Sequence, residues 1–381
     1  MYLTGVNNIQ YNNYTTVGAV KATGENKCHA VNTSHVSNPQ SVYFTSAPAS
    51  LRTQLSSADE KNKYNELLKT VSKDTKKQLN VLLKNGVLLN SASNDNSTTL
   101  DNLYKIATTP RAQGLSNNDI LAQTVAILAD PHVITQQFGN IPTQYKSQVA
   151  MLNQNAPGEE NVEHSGTCVA SSIEFNLAQK HPAEFARFAQ GLSSPEMSVN
   201  KTIKMNNLAD NTLDAIWLLN AFEVPYKADN FDEAHLTFAP DKNAIVRAHI
   251  QTVDKDRLER SSVDVLMQST FMQIGSQQSY DTLTDKRAGK FNQNDKGLIE
   301  FEKTFTESVV EDKNKISVTY QTVDENAKLV GYETDFNTMK KQIIDSLKMG
   351  ENVIIGYTQV DNNNTIINGH EITITDVKTD K

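Results

Sequence analysis

Cys168 and His370 are the two side chains of this sequence placed to act as nucleophile and base. Cys168 ends the short run Ser165-Gly166-Thr167-Cys168, and Val169, Ala170, Ile173 and Leu177 follow it at helical spacing. A thiol in the first turn of a helix meets unsatisfied backbone N–H groups and the positive end of the helix dipole, and both favour thiolate. Gly166 lets the backbone ahead of the cysteine come close to a bound group, because no side chain intervenes. A thiolate so placed is a nucleophile for acyl chemistry. His370 follows Asn368-Gly369 at the head of an expected strand, where Glu371-Ile372-Thr373-Ile374-Thr375 alternates polar and apolar. Ile372 and Ile374 are expected to face the core, and His370 shares their parity. An imidazole there could take the proton of a thiol.

The elements that must position these two groups are legible on both sides. Asp335 is expected to cap a helix carrying Phe336, Met339, Ile343 and Leu347, with Gly350 closing it. Val353-Ile354-Ile355-Gly356-Tyr357 reads as a strand, and Asp361-Asn362-Asn363-Asn364 as the turn before the histidine strand. The cysteine helix is expected to stop before His181-Pro182, with a second helix through Phe185 and Phe188.

With these elements in that order, the sequence resembles the papain-like cysteine peptidase superfamily, particularly its divergent bacterial members. In that family a G-[ST]-C opens the central helix, as Gly166-Thr167-Cys168 would here, and a [GN]-H begins a strand of the β half, as Gly369-His370 would. The resemblance spans about residues 150–381. It implies an α+β papain-like cysteine-protease fold, a helical half joined to an antiparallel sheet or barrel half. It implies Cys168 as nucleophile, His370 as its base, a protein or peptide substrate, and Gly166, Thr167 and Gly369 along the cleft. No cofactor and no metal are implied.

Two positions depart from the family pattern. Where the family has a glutamine six residues before the cysteine, this chain has Val162. Asn161 is the nearest amide for an oxyanion hole and Gln154 a more distant one, the backbone N–H of Cys168 being the other donor. The family also orients its histidine with an Asn or Asp on the following strand. Asp376 lies along the same strand, roughly 20 Å away at ~3.3 Å per residue, so the third member is expected beyond Lys381 and the chain is expected to be truncated there. Two other readings share the site: a transglutaminase-like acyltransferase, in which an amine accepts the acyl group, and a catalytically inactive papain-like protein serving as a binding or scaffold module.

The whole chain has 381 residues, enough for more than one structural unit. Residues 1–50 are rich in Asn, Ser, Thr and Gly and read as a polar, disordered leader. Residues 51–150 read as a helical unit. Its first helix starts at a Ser57/Glu60 capping box, and others carry Leu79, Leu82 and Leu83, then Leu100, Leu103 and Ile106, then Ile120, Leu121 and Val125 behind a Ser116 cap. A bundle core is the expectation for these stripes, and a pro-segment or partner-binding unit the alternative. Residues 151–381 would form the hydrolase domain. Within it, helices are expected around Leu213–Leu219 and from Asp254 to Phe271, a long polar surface excursion over 272–300, and a half-buried strand through Ile316, Val318 and Tyr320.

Composition sets limits. A net charge of −8 and a pI near 5.6 give no basic surface for nucleic acid or anionic lipid. No stretch approaches the ~20 apolar residues of a membrane span, and the amino terminus reads as no secretory signal peptide. A cytosolic location and export by a specialised route both fit. Cys28 and Cys168 provide neither a disulfide framework nor a four-thiolate site, and His164 with Cys168 lacks further ligands for a tetrahedral metal. Asn94-Asp95-Asn96-Ser97 lacks the ligand spacing of an EF-hand, and no P-loop, dinucleotide fingerprint or HExxH occurs. Glu163 and Glu174 are expected on solvated faces.

Overall fold

The computed structural model describes residues 51–136, 165–204, 226–228, 233–253, 260–276, 278–287 and 297–377. It is mixed α+β, with helices and small antiparallel sheets. Two compact units are present, Leu51–Lys315 and one that takes in Ile316–Lys381.

The larger unit begins with four capped helices. Ser57 and Glu60 close the expected capping box at α1 (Ala58–Thr70), and Ser72 caps α2 (Lys73–Lys84). Thr98 and Asp101 form a second box at α3 (Thr99–Thr108), and Ser116 caps α4 (Asn117–Ala129). Each cap supplies an acceptor for an N–H that the first turn leaves without a partner. Leu79, Leu103, Ile106, Ile120, Leu121 and Val125 are fully buried, so the apolar stripes do face a core. The loop of Asn94 is a tie rather than a ligand set: its side-chain amide bonds the backbone N–H and carbonyl of Thr202 at 2.8 and 2.7 Å.

The cysteine-bearing helix is α5 (Cys168–Lys180), and Pro182 starts α6 (Pro182–Leu192) after a break at His181. Next comes an antiparallel sheet in the order β1-β3-β2: β1 (Val199–Lys204), β2 (Tyr226–Ala228) and β3 (Glu233–Phe238), with Val199 opposite Phe238. After α7 (Ala244–Val253) comes α8 (Ser262–Gly275), every residue of which is buried. α8 packs against α4, α5, α6, α7 and α9 (Glu300–Glu311) and is the centre of the unit. Gly275 marks the closest approach of α9: a Cβ there would lie 2.5 Å from Thr306 Oγ1 and 2.9 Å from Leu298.

Two expectations in this unit are corrected. α8 starts at Ser262, not Asp254, because Ser261 and Asp264 form a capping box there. The described residues of 272–300 are not a surface excursion. Tyr280, Leu283, Asp285 and Arg287 are buried, β4 (Tyr280–Asp281) pairs with β5 (Lys286–Arg287), and α9 follows. Polarity misleads here because the polar groups satisfy one another inside, as when Arg287 pairs with Glu302 and Tyr280 donates to Asp285.

The smaller unit holds β6 (Gln321–Val323), β7 (Leu329–Tyr332), α10 (Phe336–Lys348), β8 (Val353–Val360) and β9 (Ile366–Ile374). Asp335 caps α10 by accepting from Asn337 N and Thr338 N, and Gly350 follows its end with φ +85°. Tyr320, Met339, Ile343 and Ile355 form its core, with Leu347, Val353 and Ile374 packed on it. The expected strand through Ile316 and Val318 is absent. Ile316 is 83% exposed, and pairing begins only at Gln321, opposite Tyr332. Alternation alone makes no strand, and among the described residues no strand pairs with 316–319. β9 begins at Ile366, so His370 lies within the strand instead of leading it, and Ile372 is 40% exposed instead of facing the core. Parity alone does not bury a residue.

The leader, Cys28, residues 154–164 and the expected helix around 213–219 lie outside the described residues. Among the described residues no helix is long and apolar enough to cross a membrane.

Candidate active site

The start of α5 is built from the tripeptide before it, which is anchored at three points. Both N and Oγ of Ser165 reach the carbonyl of Gln136, at 3.1 and 2.8 Å. Gly166 N donates to Asp285 Oδ2 at 2.7 Å. Thr167 Oγ1 bonds Gln268 Oε1 at 2.8 Å. Gly297 comes against the same turn, where a Cβ would lie 3.1 Å from the carbonyl of Gly166. Cys168 then occupies the first helical position, half-buried.

Gln268 is the hub of this region. It sits fully buried on α8, and its Nε2 donates to Thr135 O and to Glu174 Oε2, both at 2.9 Å. Those two acceptors fix which end of the amide is nitrogen, so Oε1 is the acceptor and Thr167 the donor. Arg260 Nη1 also reaches that oxygen, at 3.4 Å.

Glu174 corrects its expected place on a solvated face: it is fully buried on α5. Burial pushes its carboxyl well above the usual range, and the neighbouring Asp264 carboxylate pushes it further. Burial also raises Asp264, while its hydrogen bond from Glu174 opposes the rise. Glu174 Oε1 and Asp264 Oδ1 are buried acceptors with no other donor. A single proton held on Glu174 and donated to Asp264 satisfies both. Neutral Glu174 is therefore compatible with a helix interior where a lone carboxylate would not be.

His370 lies on β9 in the smaller unit, half-buried and opposite Tyr357 on β8. The two rings meet edge-on, with centroids 5.4 Å apart and planes at 85°. Gly369 is exposed and faces Thr358, whose hydroxyl donates to Gln321 Oε1. Asp376 lies past the end of β9, exposed.

Gly166, Thr167 and Cys168 thus share one anchored turn in the larger unit, and Gly369 and His370 share one hairpin in the smaller. Asn161, Val162, Gln154, Glu163 and His164 lie outside the described residues. Sequence reasoning missed Gln268, Asp285 and Asp264. Of these only Asp264 carried a local signal, the S-x-x-D capping pattern with Ser261. Among the described residues no group of three or more His, Cys, Asp or Glu could hold a metal ion. Compared with protein-family models, curated proteins and solved structures, the chain matches none.

Proposed function

We propose that this chain is a papain-like cysteine peptidase that hydrolyses peptide or isopeptide bonds, with Cys168 as nucleophile and His370 as base. The observation that carries the reading is the start of α5, a half-buried thiol at the first helical position behind a tripeptide anchored by Gln136, Asp285 and Gln268. Anchoring matters because a nucleophile must be held in attack geometry while the substrate changes shape around it.

In this reading His370 takes the thiol proton and Sγ adds to the scissile carbonyl carbon. The C–N bond breaks as the imidazolium returns that proton to the leaving amine, leaving a thioester. Water, deprotonated by His370, then adds to the thioester, and the C–S bond breaks to release the carboxylic acid and the thiol. Backbone N–H groups at the head of α5 are the natural donors to the oxyanion.

The test is alkylation of the full chain by iodoacetamide across pH, followed by digestion of an unfolded protein substrate. Cys168 is expected to react faster than Cys28, with a midpoint below the ordinary thiol value of about 8.5. His370→Ala is expected to raise that midpoint, and Cys168→Ala to abolish cleavage. Equal reactivity of both cysteines near pH 8.5 refutes the peptidase and leaves the scaffold reading. A Cys168-dependent thioester that transfers to added amine in preference to water gives the acyltransferase instead.

A further inference from the structure

Thr167 occupies the N-cap position of α5 yet makes no side-chain cap, and its backbone sits at φ −95°, ψ 21°. Ser57, Ser72, Thr98, Ser116, Ser261 and Asp335 each have an extended backbone, and each accepts from a first-turn N–H. The Thr167 hydroxyl is engaged elsewhere. It donates to Gln268 Oε1, whose orientation is fixed by the donations of Nε2 to Thr135 O and Glu174 Oε2. Ser165 Oγ also contacts the Thr167 hydroxyl within hydrogen-bond distance. The single Ser165 hydroxyl proton can go to Gln136 O or to Thr167 Oγ1, and either way the Thr167 proton is left for Gln268.

We infer that Gln268 is a positioning residue that holds the Thr167 hydroxyl away from the first turn of α5, so that the N–H groups a capping hydroxyl would take stay available to the Cys168 sulfur or to an oxyanion formed at it. The inference rests on Cys168 being a nucleophile. An ordinary N-cap would stabilise the helix start but occupy N–H donors that a thiolate needs. Gln268 touches neither sulfur nor substrate in this role and acts only through Thr167. The rest of the hub keeps it from swinging away, because Thr135 O and Glu174 Oε2 both accept from the Gln268 amide at 2.9 Å.

The test is the pH midpoint of Cys168 alkylation in the full chain, with folding checked by circular dichroism. Gln268→Met keeps the side-chain length and removes the acceptor, freeing the Thr167 hydroxyl to cap. The midpoint is expected to rise by about half to one pH unit, the size of a helix-terminus effect. Adding Thr167→Val removes the competing hydroxyl, so the double variant is expected to return toward the wild-type midpoint. A purely structural role for Gln268 predicts no such return, because the second substitution restores no packing. Should Gln268→Met not fold, Gln268→Asn withdraws the amide by one methylene and is read in the same way. A wild-type midpoint in the folded single variant, or no recovery in the double variant, overturns the inference and leaves the nucleophile intact. A wild-type chain with an ordinary midpoint near 8.5 overturns both.

Discussion

The hydroxyl of Thr167 and the amide oxygen of Gln268 lie 2.8 Å apart although 101 residues separate them in the chain. This bond joins the residue before the candidate nucleophile to the most buried helix of the larger unit. Through Gln268 it also reaches Glu174 and, beyond it, Asp264.

That carboxyl pair predicts a pH-dependent stability. The folded-state affinity of Glu174 for its proton is raised by burial, above the unfolded value of about 4.3. Its contribution is therefore fully present below about pH 4.3 and is lost as pH rises through the folded value. Glu174→Gln keeps an acceptor for Gln268 and a donor for Asp264 without a titrating proton. It is expected to melt close to wild type at pH 4 and higher than wild type at pH 8 to 9. Glu174→Ala, which leaves the Gln268 amide and Asp264 without their partner, is expected to cost about 1–3 kcal/mol. Thermal melts from pH 4 to 9 decide it, and parallel curves for Glu174→Gln and wild type would remove the shared proton.

Arg287 and Glu302 form an ion pair with both side chains fully buried. Arg287 also donates to Gly297 O, and Glu302 accepts from Ile299 N at the start of α9. Removing one member strands a charge, so Arg287→Met is expected to cost about 3–5 kcal/mol in urea denaturation. Arg287→Met with Glu302→Gln removes both charges while keeping an acceptor for Ile299 N, and it is expected to regain much of that loss. A double variant no more stable than the single one would show that the pair is not what holds α9.

Tyr357 sets the ring environment of His370 from the neighbouring strand. An edge-to-face contact of this kind is worth about 0.5–1.5 kcal/mol. Tyr357→Phe preserves the ring and is expected to leave the imidazole Cε1–H resonance of His370 near its wild-type position. Tyr357→Ala is expected to shift it by loss of the ring current and to slow cleavage more than Tyr357→Phe does. Identical spectra for the two variants would detach His370 from Tyr357.

Local sequence signals determined the elements whose ends are set within a few residues. The Ser57/Glu60 box, the Ser116 and Asp335 caps, the Pro182 break and the start of α5 at Cys168 were readable because a cap needs only its own turn. The surroundings of those elements were not readable. Glu174 reads as a surface residue by type, yet it is buried because a partner carboxyl arrives from α8. Residues 280–287 read as a loop by polarity, yet Asp285 turns inward to hold Gly166 N and the hydroxyl of Tyr280. On β9, alternation gave the strand but neither its first residue nor the exposure of Ile372, which depend on what covers the hairpin. The sequence thus determined where a thiol meets a helix end. Only the tertiary structure decided that the helix end is left without its usual cap, because the glutamine that engages the capping hydroxyl comes from a distant part of the chain and no local pattern encodes its approach.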